Sequence, residues 1–325
     1  MNIGLQITKN KNKYKRLISL LNHEYFKNIL FIHIPDTKSL EDQIAKLDIL
    51  VTYGISNKLF NKRSNRLKWI HVGASGIDDN LFDDLIKSRV MITNAKGINS
   101  NAVTEFIISQ MMYFAKLVGD CNQFKQSKQW NQWELARETK MLSDSTLGII
   151  GYGEIGKNLS RKAKSFGMKV IATRRLQKHT EKKKFVDFLL PTSKIEKIFK
   201  KSDYLSVACP LTPQTNGMIN KKLLNLMKKS SVFINTSRGR IVNETDLIDI
   251  LKKKQIKGAA LDVFAQEPLD SNSELFRLEN VFLSPHISGN FSGYQENMII
   301  QFGEMLNKYL DNKTLKNRVC KKRLY

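Results

Sequence analysis

The sequence predicts an α/β protein made of two doubly wound parallel sheets. Three observations carry that prediction. The chain has 325 residues, more than one average domain and enough for two. Short β-branched runs alternate with amphipathic stretches in two successive series, and alternation of this kind implies parallel sheets covered on both faces. The second series opens on a glycine-rich turn, Gly151-Tyr152-Gly153-Glu154-Ile155-Gly156, set between a strand-like and a helix-like segment.

The first series begins with a strand at Ile3–Thr8 and a helix at Tyr14–Leu21. A strand at Ile29–Ile34 and a helix at Leu40–Leu47 follow, then strands at Ile49–Tyr53, Trp69–Val72 and Val90–Thr93. Asn99-Ser100-Asn101 offers N-caps for a long helix, in which Val103, Phe106, Ile107, Met111, Phe114 and Leu117 recur at helical spacing as a core stripe. Residues 120–145, with Trp130 and Trp133, lack periodicity and read as an irregular excursion. Strands are then expected at Thr146–Ile150, Lys169–Thr173, Tyr204–Ala208, Val232–Asn235, Gly258–Asp262 and Val281–Leu283, with helices between them. A last helix, about Tyr294–Leu310, precedes a basic tail.

Composition narrows the class. With 41% hydrophobic and 26% charged residues the chain is an ordinary globular protein, so disordered and fibrous classes are excluded. Its apolar runs, such as Ile29–Ile34, fall far short of the ~18 residues that cross a bilayer. Because Met1-Asn2-Ile3-Gly4 opens directly into a strand, a cytoplasmic protein without a membrane partner is expected. Cys121, Cys209 and Cys320 are odd in number and far apart, which suggests neither a disulfide framework nor a metal site. A formal net charge of +24 raises nucleic-acid contact as a reading. The lysines, however, sit in scattered groups such as Lys182-Lys183-Lys184, without stacking aromatics or a nucleic-acid motif, so no nucleic-acid partner is expected. The excess reads as a solvated surface that attracts anions over a distance.

The glycine turn has a mechanism in this context. Gly151 permits the tight turn, Gly153 lets the backbone approach a pyrophosphate, and Gly156 lets helix and strand pack closely; the phosphates meet the free N–H groups of the helix start, at Glu154 and Ile155. A carboxylate about 20 residues on would hold the ribose 2′-hydroxyl of NAD(H). The chain has Thr173-Arg174-Arg175 there instead, and two guanidiniums suit a 2′-phosphate, so NADP(H) is expected over NAD(H). Further on, Arg238, Glu267 and His286 each follow a strand-like run. Together they supply what hydride transfer to a 2-oxo acid needs. Arg238 can anchor the carboxylate and polarise the oxo group. His286 can give its proton to the carbonyl oxygen, while Glu267 orients the ring and favours its protonated form. His23, His33, His71 and His179 lack such frames and read as surface or core residues.

The frames Asn235-Thr236-Ser237-Arg238-Gly239, Gln266-Glu267-Pro268-Leu269 and Ser284-Pro285-His286-Ile287-Ser288-Gly289 closely resemble the D-isomer-specific 2-hydroxyacid dehydrogenases. The resemblance extends to Val207-Ala208-Cys209-Pro210-Leu211-Thr212, to Thr215-Asn216-Gly217 and to Gly258–Phe264. It implies a Rossmann cofactor domain, residues 100–289, inserted into a flavodoxin-like substrate domain formed by 1–99 and 290–325. It also implies that Pro210, Thr215, Thr236 and Asp262 line the dinucleotide, Asp262 near the nicotinamide, and that backbone N–H groups of Ala74, Ser75 and Gly76 share the substrate carboxylate with Arg238. The expected substrate is a small 2-oxo or 2-hydroxy acid of the glyoxylate or hydroxypyruvate type. In members of the family the excursion before the glycine turn is a dimerisation arm, so a homodimer is expected, with Trp130 and Trp133 against the second copy. Formate dehydrogenases share the fold but pair their histidine with Gln, and Glu267 argues against that branch. Some proteins of this fold act as dinucleotide-sensing corepressors; this chain lacks long recruiting tails and keeps the whole chemical set.

Overall fold

The computed structural model describes residues 1–21 and 24–324, with Asp79 described for its backbone only; His23 lies outside the described residues. The described chain divides into two compact units, Met1–Asn99 with Phe291–Tyr325, and Ser100–Asn290. Asn290 therefore goes with the second unit.

The first unit carries five parallel strands: β1 (Asn2–Gln6), β2 (Leu30–His33), β3 (Ile49–Thr52), β4 (Trp69–Val72) and β5 (Met91–Asn94), in the order β2-β1-β3-β4-β5. This is the flavodoxin-like order, which reverses direction between β1 and β3. Strand alternation distributes the core to both faces. Ile49, Val51 and Trp69 pack in one cluster with Leu17, Met298 and Phe302, while Leu50 and Ile70 pack in another with Leu40, Phe60 and Leu85. The helix Tyr294–Leu310 returns to this unit because Met298, Phe302, Met305 and Leu306 fall on one side of it. The tail stays attached too: Lys321 Nζ donates to the Leu85 and Ser88 carbonyls, both at 2.8 Å, and closes the end of the helix Asp83–Lys87.

The second unit holds eight strands: β6 (Thr146–Ile150), β7 (Lys169–Arg174), β8 (Glu181–Lys183), β9 (Val186–Pro191), β10 (Tyr204–Val207), β11 (Val232–Asn235), β12 (Gly258–Leu261) and β13 (Val281–Leu283). Their order is β13-β12-β11-β10-β6-β7-β9-β8, parallel throughout except for the β8–β9 pair. Without β8 this is a Rossmann sheet whose order reverses between β6 and β10. Ile150 and Phe233 face one core cluster, and Ile149 and Ile234 the other.

Two sequence expectations need correction. The strands β8 and β9 were not expected, because Lys182-Lys183-Lys184 reads as a solvated charge group. In the structure Lys182 and Lys183 decorate an edge strand and Lys184 the turn after it, where exposed charge blocks pairing with another sheet, while Val186, Leu189 and Leu190 of β9 are buried. Residues 120–145 are not irregular either: they contain the helices Val118–Ser127 and Gln132–Glu138. Neither helix has a buried residue, so neither has an apolar period to read. Trp130 and Trp133 are 80% and 70% exposed, and Trp130 packs edge-on against Phe124 at 5.8 Å.

Candidate active site

The glycine turn lies at the carboxyl end of β6, at the reversal point of the second sheet. Gly151 has φ 106°, and a Cβ there would meet the Ala208 carbonyl oxygen at 2.7 Å and the Cys209 nitrogen at 2.8 Å. The loop after β10 thus presses directly on the turn. Gly156 is equally constrained, since a Cβ would lie 2.4 Å from the Gly151 oxygen. Gly153, the N-cap of the helix Glu154–Ser165, has nothing within 4 Å of where a Cβ would stand. Two glycines are therefore required by the protein's own packing, whereas the third leaves space in front of a helix N-terminus, as a bound pyrophosphate needs. In the adjoining loop Thr215 Oγ1 donates to the Pro210 carbonyl at 2.8 Å and accepts from the Thr212 N–H at 2.8 Å. Burial pushes the Cys209 thiol up to about 12, so it stays protonated. Arg174 and Arg175 are exposed at the end of β7, beside β6; Thr173 is buried within β7 at 1% exposure.

Arg238, Glu267 and His286 follow β11, β12 and β13. Asn235, 1% exposed, shapes the first turn: its Oδ1 accepts the Ser237 N–H at 3.1 Å and its Nδ2 donates to the Arg238 carbonyl at 3.1 Å. Ser237 Oγ donates to the Cys209 carbonyl, tying this turn to the loop after β10. Gly239 then packs so closely on the Phe264–Ala265 peptide that a Cβ would come within 1.8 Å of the Phe264 carbonyl carbon. That peptide leads into Glu267. The Glu267 carboxylate accepts the Phe264 N–H at 3.0 Å through Oε1 and meets His286 Nδ1 at 2.7 Å through Oε2. His286 itself adopts φ 53°, which costs a non-glycine residue about 1 kcal/mol. Asp262, fully buried, compensates: its carboxylate accepts from Ser284 Oγ at 2.6 Å, Ile287 N at 2.8 Å and Ser288 N at 2.9 Å, and its carbonyl accepts the His286 N–H at 2.9 Å. The imidazole is thereby held by its backbone on one side and by a carboxylate at its Nδ1 on the other.

A model described as the D-isomer specific 2-hydroxyacid dehydrogenase NAD-binding domain matches residues 108–288. The chain belongs to this family. As a member it is an oxidoreductase that uses a nicotinamide dinucleotide. Among curated relatives, a glyoxylate reductase of Thermococcus litoralis is 34% identical over 275 residues, covering 81% of each chain. A glyoxylate reductase of Pyrococcus furiosus is 34% identical over 262 residues, 78% of this chain and 76% of the relative. Among solved structures, an NADPH-dependent glyoxylate/hydroxypyruvate reductase of Sinorhizobium meliloti, in complex with NADP and sulfate, superimposes with a TM-score of 0.85 over 100% of this chain and 99% of that one. At 21% identity that likeness speaks for the fold.

The remaining expected residues lie in the first unit, after β4. Ala74, Ser75 and Gly76 form a half-buried loop whose three backbone N–H groups donate to no other described residue. The loop is held from behind: Ser75 Oγ donates to Asn99 Oδ1 at 2.8 Å, Asn94 Nδ2 to the Ser75 carbonyl at 2.7 Å, and Tyr294 Oη to the Gly73 carbonyl at 2.9 Å. Burial pushes the Tyr294 phenol up to about 12, which keeps it a donor. The other histidines take ordinary places: His33 stacks on Tyr14, His71 is fully buried and His179 is exposed. No helix among the described residues is long and apolar enough to cross a membrane. Sequence reasoning assigned no role to Asn235, Gly239, Ser284 or Glu244. Asn235 and Gly239 stand inside the quoted Asn-Thr-Ser-Arg-Gly frame, but their contacts cannot be read from spacing.

Proposed function

We propose that the protein reduces a small 2-oxo acid of the glyoxylate or hydroxypyruvate type to the D-2-hydroxy acid, with NADPH preferred to NADH. The observation that carries this reading is the 2.7 Å contact between Glu267 and His286, in a turn wedged against the Arg238 loop through Gly239. In this reading the second unit binds the dinucleotide and the first, with Ala74–Gly76, contributes to the substrate site. Gly151, Gly153 and Gly156 hold the pyrophosphate at Glu154 and Ile155, with Pro210, Thr215, Thr236 and Asp262 nearby, and Arg174 and Arg175 take the 2′-phosphate. The bound cofactor supplies a hydride to C2. Arg238 holds the carboxylate and draws charge toward the oxo oxygen. His286 gives its Nε2 proton to that oxygen as the hydride arrives, so the carbonyl gains a hydride at carbon and a proton at oxygen, two electrons and two protons in all, and becomes an alcohol; His286 is then reprotonated from water. Glu267 offsets the imidazolium charge and fixes the ring. A glyoxylate reductase name on both curated relatives supports the substrate class. The exposed Trp130 and Trp133 support a homodimer, since large apolar rings left in water mark association surfaces.

The test is a panel of 2-oxo acids assayed with NADPH and with NADH, with chiral analysis of the product. The reading expects turnover of glyoxylate and hydroxypyruvate, a higher kcat/KM with NADPH, and D-glycerate from hydroxypyruvate. An L product, or no turnover of any 2-oxo acid, would overturn it.

A further inference from the structure

Glu244 opens the helix Glu244–Lys252 and belongs to none of the frames discussed above. Its carboxylate nevertheless reaches back to the loop that carries Glu267: Oε2 accepts the Ala265 N–H at 2.9 Å. The preceding amide, Phe264 N, donates to Glu267 Oε1 at 3.0 Å, and Glu267 Oε2 meets His286 Nδ1 at 2.7 Å. Two successive N–H groups of one short turn are thus divided between two carboxylates. On its other side the same peptide rests on Gly239, where there is no room for even a methyl group. The turn is clamped between Gly239 and Glu244, and Glu267 hangs from it.

We propose that Glu244 is a positioning residue for proton transfer, holding the Phe264–Ala265 peptide so that Glu267 presents Oε2 to the imidazole of His286. The proposal rests on the reading of Glu267 and His286 given above. Glu244 acts through the Ala265 N–H and touches neither Glu267 nor His286 by any hydrogen bond among the described residues. The inference does not follow from charge alone, because a carboxylate at the first turn of a helix also favours that helix through the positive end of its dipole. What distinguishes positioning from a simple helix-stabilising role is reach. A side chain that ends in an oxygen at the same distance can keep the Ala265 hydrogen bond without the charge, and a shorter carboxylate keeps the charge without the hydrogen bond.

That difference supplies the experiment. Glu244→Gln and Glu244→Asp are compared with wild type and with Glu267→Gln, measuring NADPH affinity by fluorescence and the pH profile of kcat/KM for glyoxylate reduction. Reduction needs a protonated donor, so the profile falls at high pH, and weaker support from Glu267 moves that alkaline limb to lower pH. The expectation is that Glu267→Gln moves the limb strongly. Glu244→Asp should lower kcat by about tenfold and move the limb in the same direction by about one pH unit, with NADPH affinity unchanged within about twofold. Glu244→Gln should stay within about threefold of wild type with its limb in place. If Asp leaves the limb in place, or Gln moves it as far as Asp does, Glu244 is not a positioning residue, whatever the change in thermal stability. If Glu267→Gln itself leaves the limb unmoved, the reading of the Glu267–His286 pair fails first, and the role of Glu244 falls with it.

Discussion

Gly239→Ala adds one carbon at the joint between the Arg238 turn and the turn that carries Glu267. Its Cβ would lie 1.8 Å from the Phe264 carbonyl carbon, 2.0 Å from its oxygen and 2.4 Å from the Ala265 nitrogen. Nonbonded carbons rest at about 3.5 Å or more, so the two backbones must separate by about 1.5 Å, and neither is a flexible side chain that can swing away. The peptide that must move donates its Ala265 N–H to Glu244 at 2.9 Å, and the adjoining Phe264 N–H donates to Glu267 at 3.0 Å; a displacement of that size breaks the first bond and pulls on the second. Overpacking costs roughly 1–3 kcal/mol of stability, and a misplacement of about 1 Å near reacting groups costs on the order of a hundredfold in rate. Gly239 has φ outside the left-handed region, so alanine meets no backbone penalty there and the clash alone is tested. Steady-state kinetics with glyoxylate and NADPH, beside a thermal melt and an NADPH titration, should show kcat reduced about a hundredfold in a protein that still folds and binds the dinucleotide. An alanine variant with wild-type kcat would refute the argument that this contact positions Glu267.

Three further outcomes follow from other parts of the molecule. Thr173 is 1% exposed, which makes it a poor host for a carboxylate, so cofactor preference is tested by Arg174→Asp with Arg175→Ala; kcat/KM with NADPH should fall by about a hundredfold while that with NADH holds or rises, since charge-assisted bonds contribute about 1.5–3 kcal/mol each, and an unchanged ratio would remove both arginines from the site. Light scattering at micromolar concentration should give about twice the 37.4 kDa chain mass, falling toward one chain when Trp130 and Trp133 become Ala; a monomeric wild type would contradict the dimer. Burial lowers the pKa of His71 from 6.5 to about 3, so its neutral form stabilises the fold fully above about pH 6.5 and progressively less as pH falls toward 3. At pH 4.5 the loss is about 2–3 kcal/mol, and urea unfolding of wild type and His71→Gln should converge by that amount between pH 7 and 4.5; a constant difference would show that His71 contributes nothing to acid sensitivity.

How much of this was legible depended on whether a residue faced a core or another loop. Trp69–Val72, Thr146–Ile150 and Val281–Leu283 were bounded correctly because each is a compact apolar run, and Tyr294–Leu310 because its buried side chains repeat at helical spacing. The edge strand β8 and the helices Val118–Ser127 and Gln132–Glu138 have no buried face to leave such a record. At the site, Arg238, Glu267 and His286 stood out because their frames are rich in Pro, Gly and Asn around a chemically capable side chain. The parts that hold them were less legible. Asp262 was named for the cofactor and not for its hold on the His286 turn, and Asn235 and Glu244 were given no role; all three act through hydrogen bonds to backbone groups 2–26 residues away, contacts that depend on how three loops meet at the ends of β11, β12 and β13. The left-handed backbone of His286 is likewise not fixed by residue type, since histidine is enriched in that region but adopts it in only a small minority of cases.

The central claim is that His286, held by Glu267, donates the proton, and His286→Gln tests it most directly. Glutamine keeps size and polarity but cannot deliver a proton at neutral pH. Single-turnover reduction of glyoxylate by the preformed NADPH complex should slow by about a hundredfold or more, with NADPH affinity nearly unchanged. Wild-type turnover in that variant would contradict the account.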